Sequence, residues 1–292
     1  FPYQWVRQMA AHVAELYVIC LEKGESGGLP ENCHVYTLGK EAGKNRFREF
    51  IRFMRYAARI VPQIDGVFSH QNPEYGILIA PWCKLYRKKL IAWYTHKSVT
   101  LRLRVLAMLA DRMVTASSES FRLKTPKLQV MHHGIDVEHF AFQPKQRSGQ
   151  FVMLSVSRIS PSKNIHRMIE LVDELHQRGS GSLTLSIAGD AVLESEKHYL
   201  AHLRAIVQEK GLSGIVHFRG SVPYLSTPDL YHGADLFLNF SSTGSLDKAV
   251  LEAMSAGVPV LTTNEAFRSI AAEGGQDMYA DGTTPELAAH VE

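Results

Sequence analysis

The sequence predicts an α/β protein made of two parallel-sheet domains, and three observations predict it. Short apolar runs of about five residues alternate with amphipathic stretches almost throughout the 292 residues. Those runs end in Gly, Ser, Thr or His, as strands buried on both faces of a parallel sheet do. A single polar stretch, QPKQRSGQ at 143–150, breaks the rhythm and lies where the charge balance changes sign. The length exceeds the usual single domain of roughly 100–200 residues, so two domains are expected, at 1–142 and 149–292.

Taken in order, the chain opens in FPYQWVRQMAAHVAEL, which reads as a helix and lacks an initiator Met, a charged leader and a cleavage site. An N-terminally incomplete first domain is therefore expected. The runs HVYTL, GVFSH, KLIAWYTH, RMVTAS and KLQVMHHGID follow as strands of the first half. The stretch 143–150 carries no apolar periodicity and is placed as the linker. FVMLSVSR, LTLSIAGD, GIVHFRG, DLFLNFS and VPVLTTN are the strands of the second half. At the end, PELAAHVE enters a helix at Pro285 and stops within its first turns, so the second domain is expected to be incomplete too.

Composition excludes several classes. No stretch approaches the roughly 18 consecutive apolar residues of a membrane span, and YGILIAPWC at 75–83 is far too short. Cys20, Cys33 and Cys83 are odd in number and form no CxxC pair, which argues against a disulfide framework or a zinc site and fits a reducing cytoplasm. Residues 1–140 hold 20 Lys+Arg against 12 Asp+Glu, and the remainder 12 against 17. The basic half is densest in CKLYRKKL, which reads either as a solvated helix face or as a patch for an anionic lipid surface or phosphorylated acceptor. Nucleic acid is not expected as a partner, because the cations lack interleaved aromatics and no reading motif is present. There is no GxGxxG, Walker loop or GxSxG elbow, and no HExxH, DxD or other metal-ligand spacing.

Ligands of open parallel sheets bind beyond the carboxyl ends of the strands, so residues just after each run carry the chemistry. In VSRISPSKN, 156–164, a strand ends at Arg158 and a Ser-Pro turn leads past Lys163 into a helix. Ser160 is placed to cap and Pro161 to fill the first helical position, giving an anion site of free amides and helix dipole. Arg158 offers a two-pronged donor and Lys163 a mobile charge, a pair suited to a diphosphate; two surface cations around a turn is the plainer alternative.

FLNFSSTGSLDKAVLEAMSAGVPVLTTN, 237–264, reads as strand, small-residue loop, helix, Gly turn and strand. The loop SSTGS, with Gly244 and Ser245, exposes backbone amides to phosphate or sugar oxygens. Glu252, one turn inside the following helix, is placed to accept two hydrogen bonds from ribose hydroxyls. It stands between Leu251 and Ala253, where an unpaired carboxylate is costly.

These two motifs, together with TASSESFRL and HHGIDVEHF upstream, resemble the retaining GT-B glycosyltransferases of family 4, the group 1 glycosyltransferases. The resemblance covers nearly the whole chain. It implies a GT-B fold of two Rossmann-like domains facing across a cleft, with the acceptor on the first and a nucleotide-sugar donor on the second. It further implies that Arg158 and Lys163 bind the donor diphosphate, that Glu252 binds the ribose, and that His96 in WYTH meets the transferring sugar. The implied reaction moves a sugar from a nucleoside diphosphate sugar to a hydroxyl of a carbohydrate or lipid-linked acceptor, with retention and without a metal or other cofactor. Polysaccharide or glycolipid biosynthesis in the cytoplasm follows, peripheral at the inner face of the membrane if the basic half meets anionic lipid.

Two departures stand out. The family's first glutamate of E-x7-E is replaced by Gly244, leaving Asp247, three residues on, as the substitute sugar contact or else a helix cap. Ser157 stands where the family commonly has Gly, still small enough for close backbone approach. His70 and His96 each follow a strand and are expected to line the acceptor side, while His132 and His133 suit a structural or hinge role. The alternatives are a non-catalytic sugar-nucleotide or glycan-binding module, motivated by Gly244, and a GT-B-like nucleotide-sugar epimerase.

Overall fold

The computed structural model describes residues 2–24, 27–43, 45–145, 149–274 and 278–291. Residues 146–148 of the expected linker lie outside them. The chain divides into two compact units, one of Phe1–Tyr94, Val99–Val114 and Leu123–Gln129, the other of Thr95–Ser98, Thr115–Arg122 and Val130–Glu292. Residues 130–142, assigned to the first domain on the sequence, group with the second unit.

In the first unit, helix α1 (Pro2–Ala10) precedes strands β1 (Leu16–Cys20) and β2 (Cys33–Thr37). The opening helix is shorter than expected, because Asn32 donates its amide to the Ala10 and Val13 carbonyls and closes the chain there. β1 was not foreseen. Helix α2 (Arg46–Ile60) is capped by the Asn45 side chain and buries Phe53, Ala57 and Ile60 on one face at helical spacing. Strand β3 (Gly66–His70), helix α3 (Pro73–Leu85), strand β4 (Lys89–Trp93), helix α4 (Leu101–Leu109) and strands β5 (Arg112–Thr115) and β6 (Leu128–Val130) complete it. Asn72 caps α3 with Pro73 at its first position, and Thr100 caps α4. Lys127 donates to the Ala107, Met108 and Ala110 carbonyls, a cation on the negative end of α4. The strands form a parallel β1-β2 pair and a sheet ordered β3-β4-β5-β6.

The second unit alternates strictly: β7 (Phe151–Val156), α5 (Ile165–Gln177), β8 (Leu183–Ala188), α6 (Glu194–Glu209), β9 (Val216–Gly220), α7 (Thr227–His232), β10 (Leu236–Asn239), α8 (Lys248–Ser255) and β11 (Val260–Thr262). Helices α9 (Arg268–Gly274) and α10 (Thr284–Val291) follow. The sheet is ordered β11-β10-β7-β8-β9, every pairing parallel. All six residues of β8 are buried, which is why LTLSIA reads as an unbroken run. Met153, Ile169, Val172, Leu185, Leu203 and Leu238 lie in one core with Leu287 of α10. Strand order reverses between β7 and β10, so the crevice that such sheets use for ligands opens at the carboxyl ends of those two strands.

All three cysteines are free thiols. No helix among the described residues is long and apolar enough to cross a membrane. CKLYRKKL is not one helix face: Lys84 lies in the last turn of α3, Arg87 turns with φ 54°, and Lys89 begins β4 and pairs with Asp111 at 3.2 Å.

Candidate functional site

Both chemistry-bearing motifs of the second unit fall at this reversal, one after β7 and one after β10. β7 stops at Val156, two residues short of Arg158. The helix expected to begin at Pro161 is broken in two: a 3-10 turn, Pro161–Lys163, then α5 from Ile165. The break is at Asn164, left-handed with φ 50°, which donates its side-chain amide to the Phe240 carbonyl at 2.9 Å. Ser160 stands before the turn but bonds the Ser162 hydroxyl rather than a backbone amide. The anion site expected from Ser160 capping a helix therefore does not form as such.

Instead the two motifs are laced together. Ser242 donates its backbone amide at 2.9 Å and its hydroxyl at 3.2 Å to the Ser162 carbonyl. Lys163 reaches the Asp247 carboxylate at 2.7 Å and the Ser241 hydroxyl at 3.4 Å, with only 15% and 16% of the two charged side chains exposed. Asp247 stands at the N-terminus of α8 without capping it; its second oxygen accepts from the Asn239 amide at 2.9 Å. Lys163 and Asp247 are thus joined, a pairing the sequence reading did not foresee.

Arg158 is exposed, and its Nε donates to Glu196 at 3.1 Å. Glu196, with 4% of its side chain exposed, also accepts the Val192 and Leu193 amides at 3.0 Å, closing the first turn of α6. Those amides, more than Arg158, hold its carboxyl below the ordinary range. Glu196 therefore orients the Arg158 guanidinium through Nε, while 56% of the arginine side chain stays exposed. Backbone supports this corner: Gly189, at φ 140°, lies against the Ser157 carbonyl, leaving no room for a Cβ. Ser157 is tolerated there with its hydroxyl buried and without a hydrogen bond among the described residues.

Glu252 is not an unpaired carboxylate, because the fully buried Tyr231 donates to its Oε2 at 2.8 Å. Burial raises the Glu252 pKa against the lowering effects of Tyr231, Lys248 and His139. The same burial pushes Lys248, one turn earlier on α8, down to about 8. His139 stacks on Tyr224 nearby, with ring centroids 4.6 Å apart.

The loop of Gly244 and Ser245 is closed by neighbours remote in sequence. Gly244 has φ 63° and is buried, and a Cβ on it would overlap the Lys97 amine and lie 2.8 Å from Glu265 Oε1. Lys97 donates to the Ser242 carbonyl and pairs with Glu265 at 2.5 Å. His96 is exposed and precedes Lys97 in the chain. His70 is exposed at the end of β3 in the first unit, where Trp5 packs edge-on against it at 5.1 Å. Among the described residues, no group of three or more His, Cys, Asp or Glu is placed to hold a metal ion. Tyr231, Glu196, Lys97 and Glu265 escaped sequence reasoning; for the last two, the only signal was the absence of a side chain at 244.

Comparison with known proteins bears on the family and the fold. The family model described as glycosyl transferases group 1 matches residues 136–289. The chain is 30% identical over 147 residues to mannosylfructose-phosphate synthase of Agrobacterium fabrum, 49% of this chain and 31% of that protein. It is 30% identical over 164 residues to the GDP-mannose:cellobiosyl-diphosphopolyprenol alpha-mannosyltransferase of Xanthomonas campestris, 56% of this chain and 42% of that protein. It thus spans less than half the length of either relative. Among solved structures, Anabaena Alr3699/HepE in complex with UDP and glucose superposes with a TM-score of 0.78 at 18% identity, over 99% of this chain and 84% of that one. WaaG, a glycosyltransferase involved in lipopolysaccharide biosynthesis, gives 0.72 at 14% identity over the same shares. These likenesses identify the fold as GT-B, and the family match over residues 136–289 shows that the chain belongs to the group 1 glycosyl transferases.

Proposed function

We propose that the chain is the donor-binding and catalytic part of a retaining, family 4 hexosyltransferase that moves a sugar from a nucleoside diphosphate sugar to a hydroxyl of a carbohydrate or lipid-linked acceptor. The observation that carries this reading is the lacing of the two loops at the β7/β10 reversal, which places Lys163 beside the amides of 241–245, with Glu252 one turn into α8. In support, the Xanthomonas relative is named for transfer from GDP-mannose, and the Anabaena structure holds UDP and glucose.

In this reading Arg158 and Lys163 meet the diphosphate, the amides of Gly244 and Ser245 meet phosphate or sugar oxygens while those of Ser242 and Thr243 hold the loop itself, and Glu252 accepts from the ribose. His96 contacts the transferring sugar and His70 the acceptor. The bond from the anomeric carbon to the diphosphate oxygen breaks while the acceptor oxygen bonds that carbon on the same face. The acceptor proton passes to the departing diphosphate. Preorganised cations and amides stabilise the negative charge that develops there, the task a bound metal performs in other enzymes.

The test is incubation of the protein with nucleotide sugars and candidate acceptors, followed by detection of released nucleoside diphosphate and glycosylated product. Nucleotide binding without product on any acceptor overturns the reading in favour of a binding module. An isomerised nucleotide sugar overturns it in favour of an epimerase.

A further inference from the structure

We propose that Glu265 supplies the carboxylate that accepts hydrogen bonds from the hydroxyls of the donor's sugar ring, and that residue 244 is glycine so that Lys97, which holds Glu265, can occupy that place. The proposal rests on the nucleotide-sugar reading above and names the residue that grips the sugar.

Three features of the second unit lead to it. The first is space. A side chain at 244 would overlap the end of the Lys97 side chain and lie 2.8 Å from Glu265 Oε1, so the space beside the 241–245 loop is held by an ion pair whose carboxylate is delivered from another strand. Glu265 stands just beyond β11, the sheet neighbour of β10, at the start of a 3-10 turn whose preceding residue, Asn264, donates to the Ser245 carbonyl at 2.9 Å. Glu265 is thereby fixed to the same loop.

The second feature is how the carboxylate is used. Oε1 takes both cations, Lys97 at 2.5 Å and Arg122 at 3.3 Å, while Oε2 accepts no hydrogen bond among the described residues. The side chain is 43% exposed. An ionised, oriented carboxylate with one open oxygen suits a ligand rich in hydroxyl donors, since charge-assisted bonds are roughly twice as strong as neutral ones. The Lys97 hydrogen bond, ahead of the other effects, lowers its pKa and keeps it ionised.

The third is elimination within the loop. Asp247, the acid nearest Gly244 in sequence, has one oxygen on Lys163 and the other on Asn239, so neither is open to a sugar. Among the carboxylates that reach this loop, Glu265 alone of the two keeps an oxygen free.

The experiment compares nucleotide and nucleotide sugar on wild type, Glu265→Gln, Glu265→Ala and Asp247→Asn by calorimetric titration, with UDP against UDP-glucose and GDP against GDP-mannose as probe pairs. With the pair the wild type binds, Glu265→Gln and Glu265→Ala should weaken the nucleotide sugar at least tenfold while changing the free nucleotide less than twofold. Equal losses for both ligands, or no loss for either, overturn the proposal, as does a sugar-specific loss found in Asp247→Asn and not at Glu265. Failure of the wild type to bind any nucleotide instead overturns the nucleotide-sugar reading itself. Melting temperatures close to wild type show that the variants fold, as expected for a half-exposed side chain.

Discussion

At the scale of single residues, the candidate site is a set of charges each already held by a partner, and the partners decide what a substitution does. Arg158→Ala and Lys163→Ala should each lower kcat/KM about a hundredfold, since one preorganised cation at a developing diphosphate is worth about 3 kcal/mol. Lys163→Ala also strands the largely buried Asp247, so its melting temperature should fall further than that of Arg158→Ala, and Asp247→Asn in the same protein should recover the difference. Near-normal turnover in both folded single variants removes the diphosphate assignment. Glu252 gives a second expectation. Its raised pKa means it protonates earlier on acidification than an ordinary glutamate, so nucleotide affinity should decline from above the usual carboxylate range. Stability moves the opposite way: with the folded pKa above the unfolded one, keeping Glu252 ionised costs the folded state at neutral pH, and that cost is relieved as pH falls through the shifted value. Glu252→Gln should weaken nucleotide binding and flatten its acid limb in titrations run between neutrality and the carboxylate range. An unchanged dissociation constant with a lowered melting temperature would make Glu252 a structural residue.

At the scale of elements, the second unit was legible because its strands are what the alternation of apolar runs encodes. The fully buried β8 and the Gly turn after α8 are read directly from LTLSIA and from Gly257, left-handed at φ 76°. β1 was hidden because LYVIC follows AAHVAEL without a break, and the residue that ends α1, Asn32, lies far downstream. The same distance hid half of the site: Lys163 and Glu252 stand in recognisable motifs, whereas Arg122 and Glu265 are 143 residues apart and meet only in the fold. A local rule was also misleading, since Ser-Pro before Lys163 is a good helix start, yet the Asn164 bond to the β10 end interrupts it. The strand-end geometry makes one prediction. Gly189→Ala adds a Cβ against the Ser157 carbonyl at a backbone angle that disfavours side chains, and backbone does not yield cheaply. It should cost about 2–4 kcal/mol, lowering the melting temperature by roughly 5–15 °C, and a loss below 1 kcal/mol by denaturant titration contradicts the close approach.

At the scale of the whole molecule, the proposed mechanism has cations and amides meet the diphosphate and assigns no step to a metal. Turnover in EDTA should equal turnover without it, and a loss restored by Mg²⁺ or Mn²⁺ contradicts the mechanism proposed. The basic half suggests a surface role. Lys84 and Arg87 are exposed with Leu85 and Tyr86 between them, and Lys88 is half-buried; Lys89 is partly neutralised by Asp111. At about 1 kcal/mol per cation near an anionic surface, the protein should sediment with anionic vesicles at low salt and leave them as salt rises. No binding at low salt, or equal binding to neutral vesicles, removes this electrostatic docking.

The pairing of Lys163 with Asp247 carries a wider consequence. Arg158 with Glu196 and Lys97 with Glu265 repeat it, so each of these three cations already holds an internal anion. A diphosphate bound as proposed would not neutralise bare charge; it would compete with Asp247 for Lys163, as a resin exchanges one counterion for another. Such an exchange releases few mobile ions, so salt weakens it little.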